Sequence, residues 1–160
     1  MESPIETFLS KLESQQNIEK SKQLKQEEER LKKIAEQNKY IEVFKSYYEA
    51  TITPKLNNIK NMLSDKFDVK FNEVIKIEHS NFFGGDLSIK PNFESNIKSI
   101  NTSIVAEGDR KLVSFSSQGK NTFNQDLPHI AFQGSLEEFK QLDLEAEVAK
   151  MLTKVFGIVI

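Results

Sequence analysis

Two histidines, one glycine-rich stretch and scattered carboxylates are the residues of this chain that could do chemistry. His79 follows Glu78, the nearest acid–imidazole neighbours in the sequence, but adjacent side chains on a strand point to opposite faces. His129 stands apart, and neither histidine has a second histidine or a carboxylate at a metal-ligand spacing such as H-x-x-x-H. Acid–base chemistry would require folding to bring His79, His129 and Asp86 within hydrogen-bond contact. The glycine-rich stretch is Phe82-Phe83-Gly84-Gly85-Asp86. A phosphate cradle needs a helix N-terminus behind its amides. A strand follows here, so the stretch reads as a tight turn. Phe82 and Phe83, where exposed, would offer a loop contact for a partner. No nucleophile-elbow, Walker, zincin or EF-hand pattern occurs. No catalytic, cofactor-binding or metal-ligating residue is assigned, and the chain reads as non-enzymatic.

Composition narrows the classes further. The chain has 160 residues and a net charge of −2, which bounds it to one ordinary domain plus an extension. Residues 1–66 carry 12 basic and 11 acidic side chains and the remainder 10 and 13. Mixed signs of this kind argue against a nucleic-acid footprint, which needs a concentrated positive face. With no cysteine, disulfide scaffolding, thiol catalysis and cysteine-ligated zinc are excluded. No apolar run approaches a membrane-spanning length, and Met-Glu-Ser-Pro lacks a basic n-region and an apolar h-region. A cytoplasmic protein without membrane contact is the expectation.

The elements that must position these residues begin with one long helix. Ser3, Pro4 and Glu6 form a capping box with proline at the first helical position. Ile5, Phe8, Leu9 and Leu12 then make one apolar stripe. Between residues 13 and 30 only Ile18 and Leu24 are apolar, and Glu28→Lys32 and Glu29→Lys33 stand at the favourable i,i+4 spacing. From Leu24 a heptad seam reads Leu24, Glu27, Leu31, Ile34, Asn38, Ile41, Lys45, Tyr48, Ile52, with Ala35 and Phe44 flanking. Asn38 at an a position is the kind of polar insertion that fixes register in a two-stranded coiled coil. The competing expectation is that residues 34–48 pack on the chain's own C-terminal domain. At Pro54 the helix kinks, or stops and restarts with Thr53 as N-cap. Leu56, Ile59, Met62 and Leu63 then form a stripe that covers the following domain.

Ten of the twelve phenylalanines lie at or after Phe67, which places the main core there. Alternation predicts strands over residues 67–71, resuming at 74–77 after a bulge at Asn72-Glu73, and over 87–89, 97–106, 111–115, 122–123 and 130–132. Short connections make them antiparallel neighbours, with Ile100, Thr102, Ile104 and Ala106 on one face. A second capping box, Ser135 with Glu138, opens a C-terminal helix running to about Phe156.

The predicted fold is therefore α+β: a long N-terminal helix, kinked or broken near Pro54, leading into an antiparallel sheet of about five strands closed by a C-terminal helix. The expected division is a helical arm over 1–53, able to form a coiled coil, and an α+β domain over 54–160. The functional expectation is a structural or interaction protein (an adaptor, assembly factor or partner-binding chaperone). It self-associates through its arm as a homodimer or other homo-oligomer, or engages another protein. The contact residues are Ile5, Phe8, Leu9, Leu12, Leu24, Leu31, Ile34, Asn38, Ile41 and Tyr48. The alternatives are a nucleic-acid-associated protein, and a small-ligand domain or enzyme with a pocket between sheet and helices.

Overall fold

The computed structural model describes residues 3–74 and 81–158. Helix α1 (Pro4–Tyr47) passes into one turn of π-helix (Tyr48–Ile52) and then α2 (Thr53–Leu63). Strands β1 (Phe67–Val74), β2 (Phe82–Pro91), β3 (Ile97–Glu107), β4 (Leu112–Asn121) and β5 (Asp126–Gly134) follow, then α3 (Leu136–Phe139) and α4 (Leu144–Phe156). The five strands form one sheet in sequence order, each antiparallel to the next. The α+β class, the interruption beside Pro54 and the five-stranded meander are as expected. The segment 75–77 and His79 lie outside the described residues.

The start of α1 is the predicted capping box: the Glu6 amide donates to Ser3 Oγ at 3.2 Å and the Ser3 amide donates to the Glu6 carboxylate at 3.2 Å. The chain divides into two compact units, residues 1–36 and 37–160. That division falls inside α1, well before the boundary expected at Pro54, because residues 37–47 already belong to the domain's packing. Ile41, Phe44, Tyr48, Ile52, Leu56 and Ile59 are all buried in one core with residues of β1–β4, α3 and α4.

The π-helical turn explains how those six side chains share a face. Their spacing includes three successive steps of four residues, and each such step drifts by about 40° on a helix of 3.6 residues per turn. A wider i→i+5 turn absorbs the drift. Pro54 is the local cause: it has no N–H to offer the Ala50 carbonyl and its ring crowds that group. The Thr53 amide donates to the Tyr48 carbonyl instead. Thr53 is not an N-cap. Its backbone is helical at φ −55°, ψ −47°, and its buried hydroxyl finds no partner among the described residues.

The sheet shows why alternation was readable. On β3 and β4, Ile100, Thr102, Ile104 and Ala106 and then Val113, Phe115 and Ser117 are buried. Their neighbours in sequence carry the half-exposed hydroxyls of Ser103, Ser114 and Ser116. One face is core and the other is polar.

Four local expectations are corrected. β1 pairs residue for residue with β2 through Asn72↔Asp86 and Glu73↔Gly85, so no bulge occurs there. Phe82 to Asp86 is the opening of β2, not a turn. Thr122 and Phe123 belong to a tight turn in which Asn121 Oδ1 accepts from the amides of Phe123 at 3.0 Å and Gln125 at 2.9 Å, an Asx-type arrangement. The C-terminal helix is two helices. Ser135 caps α3, and Asp143 caps α4 by accepting from the Ala146 amide at 3.2 Å.

Gly85 is needed on β2 because Tyr48 packs against it: a Cβ there would fall on the Tyr48 hydroxyl, 3.0 Å from Cζ. Tyr48 is fully buried. Gly85→Ala is expected to lower unfolding free energy by ~1–3 kcal/mol, as other overpacked sites do. In a Tyr48→Phe background the penalty should shrink. A double-mutant cycle by urea denaturation checks this; equal costs in both backgrounds would mean that the hydroxyl is not what excludes alanine.

Candidate interaction surfaces

Two stretches of one helix are built by different physics. In the unit of residues 1–36, every described side chain is exposed except half-exposed Thr7. The exposed set includes the predicted contact residues Ile5, Phe8, Leu9, Leu12, Leu24, Leu31 and Ile34, together with Ile18. What supports the helix locally is its cap and its charges. Arg30 forks onto Glu27, with Nη2–Oε1 at 2.6 Å and Nε–Oε2 at 3.2 Å. This i,i+3 pair stands in place of the expected Glu28–Lys32 and Glu29–Lys33 pairs. The hydrogen bond from Arg30, then its charge, holds the Glu27 carboxyl below the usual range. A carboxyl lowered in this way supports the helix at pH values above its unfolded pKa, and that support fades as pH falls through the lowered one.

In the unit of residues 37–160 the expected seam does not persist. Ile41 is 5% exposed and Tyr48 fully buried, so neither is free for a partner. Tyr48 lies edge-on to Phe83 at 5.6 Å and Phe44 lies edge-on to Phe83 at 6.2 Å. Phe83 is therefore core, and of the two loop candidates only Phe82 is exposed. Asn38 is exposed.

Residues that sequence reasoning passed over anchor the helix where it joins the domain. Gln37 Nε2 donates to Asp109 Oδ1 at 3.2 Å, and Asn81 Nδ2 donates to Gln37 Oε1. The Gly108 amide donates to the Asn81 carbonyl at 2.7 Å. A Cβ on Gly108 would come within 3.0 Å of the Gln37 carbonyl and 3.1 Å of Ile41 Cγ1. Gly108 thus serves close approach of the β3–β4 turn to the helix, while the left-handed backbone of that turn falls on Lys111 at φ 51°. The sequence carries one signal for this, the glycine between Glu107 and Asp109.

Asp86 and His129, the two acid–base candidates among the described residues, do not converge. Asp86 pairs with Ser103 across β2–β3 and accepts a hydrogen bond from its hydroxyl. His129 pairs with Ser117, which is on the buried face. Asp86 and His129 therefore stand on opposite faces of the sheet. Among the described residues no group of three or more His, Asp or Glu side chains could hold a metal ion. No helix there is long and apolar enough to cross a membrane.

No family of known proteins, no curated protein and no solved structure matches this chain.

The Gln37 anchor yields a direct contrast. Gln37→Ala should cost the domain ~1 kcal/mol, the usual worth of a hydrogen-bonded polar side chain, whereas Leu31→Ala should leave its unfolding within ~0.5 kcal/mol, as for an exposed site. Denaturant unfolding at low protein concentration, followed by a domain-specific signal, measures both. The reverse order would place the domain's edge upstream of residue 37.

Proposed function

We propose that this is a non-catalytic interaction protein that self-associates through residues 4–36. One observation carries the reading: a helical stretch of this length keeps eight large apolar side chains exposed, from Ile5 at 71% to Ile34 at 37%, and buries none. Helices in water draw most of their stability from packing an apolar face, not from propensity. A stretch with no packing within its own unit is suited to obtain it from another chain. Leu24 and Leu31 at a positions and Ile34 at d favour a second copy of the same helix. Glu27, at a d position, is satisfied by Arg30 and so weakens the seam without leaving a bare charge. The Ile5–Phe8–Leu9–Leu12 patch extends the contact, either along the same partner helix or into the groove of a different protein.

Sedimentation equilibrium of the full chain tests the proposal. A dimer or higher oligomer is expected, converted to monomer by Leu31→Glu with Ile34→Glu, with the thermal unfolding of the domain unchanged. A chain that stays monomeric at high micromolar concentration would refute self-association. Substitution of Phe8 and Leu12 by serine separates the two roles of the N-terminal patch. A weakened oligomer puts the patch in the self-contact, and an unchanged one leaves it for another protein.

A further inference from the structure

The domain carries a solvent-open groove of about 490 Å3 where the start of β1, the β2–β3 connection and the last turn of α4 meet. Phe67, Phe93 and Phe156 line it, with ring centroids 5.5 to 6.0 Å apart and interplanar angles of 79°, 72° and 41°. Leu152 and Ile158 complete the apolar wall. Phe93 is 43% exposed, so the apolar surface is open to a ligand.

Backbone hydrogen bonds hold these pieces in place. Phe67 is fixed by its register opposite Pro91. The Asn92 amide donates to the Lys66 carbonyl at 2.8 Å, tying the connection that carries Phe93 to the start of β1. Gly157, at φ 63°, ends α4, and the Ile158 amide returns to the Thr153 carbonyl at 2.9 Å, the bonding of a Schellman cap.

The polar inventory of the groove is short. Lys66 is its one charged side chain among the described residues, and it makes no ion pair with any of them. Thr153 also lines the groove, but its hydroxyl already donates to the Ala149 carbonyl at 2.6 Å. A peptide would bring amide groups for which this wall has no partners, at a desolvation cost. A hydrocarbon chain with a single anionic end brings none. Clefts of roughly 300–1,000 Å3 are of the size that holds small molecules.

We propose that this groove binds a medium-chain carboxylic acid, its hydrocarbon chain against the three phenylalanine rings and its carboxylate on Lys66. The site is separate from residues 4–36 and does not depend on self-association. Calorimetric titration of the full chain with decanoate, below the concentration at which it forms micelles, should show saturable binding at one site per chain. Decylammonium, with the opposite charge on the same chain, should bind more weakly. Phe93→Ala removes a partly exposed ring and should weaken decanoate by ~tenfold, the scale of a lost aromatic burial. Lys66→Gln should weaken it by ~threefold, the scale of an exposed ion pair. Absence of saturable binding, equal affinity for decylammonium, or a folded Phe93→Ala variant that binds as tightly would overturn the assignment. If Phe93→Ala does not fold, Lys66→Gln decides it, and unchanged affinity there is equally fatal. Because the exposed apolar residues of the N-terminal helix could also attract an alkyl chain, the two groove substitutions are what locate the site.

Discussion

The seating of one helical face on the buried face of the sheet is the constraint from which the domain follows. Six side chains from Ile41 to Ile59 must reach the same core, and the helix widens for one turn before Pro54, which narrows the arc over which they spread. Without that turn, three successive four-residue steps would carry Leu56 about 120° round the axis from Phe44, and only the three-residue step to Ile59 would bring part of that back. Tyr48 is the largest side chain of the set, and Gly85 makes room for it. The proline that interrupts the helix and the glycine that leaves a gap in the strand therefore serve the same contact from opposite sides. Such paired concessions mark positions where tertiary packing has overruled local propensity.

The same α1 segment obeys two regimes on either side of residue 37. Downstream, burial fixes it and its amides share the stability of the core. Upstream, only a capping box and a surface ion pair support it, and exposed pairs of that kind contribute little. The opening free energy of the helix is thus expected to fall steeply across the boundary, unless another chain covers the upstream part. Gln37, Asn81 and Gly108 clamp the point of change, so fraying of the first part need not propagate into the second.

How much of this could be read beforehand depended on whether the cause was local. The capping boxes at Ser3 and Ser135 and the alternation of β3 and β4 are local rules, and the structure follows them. The heptad seam failed beyond Asn38 because a 3.5-residue template placed Lys45 on the contact face and Phe44 beside it. The real face runs through Phe44, on a helix whose pitch changes. Gly84-Gly85 looked like a turn because glycine's freedom is usually spent on dihedrals. Here Gly85 is used for closeness, and only coordinates reveal what approaches it. The groove was invisible for a further reason: Phe67, Phe93 and Phe156 come from three distant places, and nothing in the spacing of phenylalanines announces that they will meet.

Where apolar surface is left exposed can be weighed against how the sheet's edges are finished. β5, one edge, carries Pro128 in its span and pairs with β4 through an irregularity at Phe115/Ser116. β1, the other edge, presents the charged side chains of Asp68 and Lys70 on its polar face. Proline, bulges and charge are the usual devices against strand-to-strand association. Single exposed residues such as Phe123 and Ile130 are ordinary for a protein surface. A sheet finished in this way directs association elsewhere. The exposed apolar side chains gather instead along residues 5–34 of the helix and around the three phenylalanines at the end of α4. One is a long ridge, suited to another helix. The other is a groove with a single cation at its rim, suited to a small anionic amphiphile. The two differ in shape and in charge, which is the physical ground for assigning them different occupants.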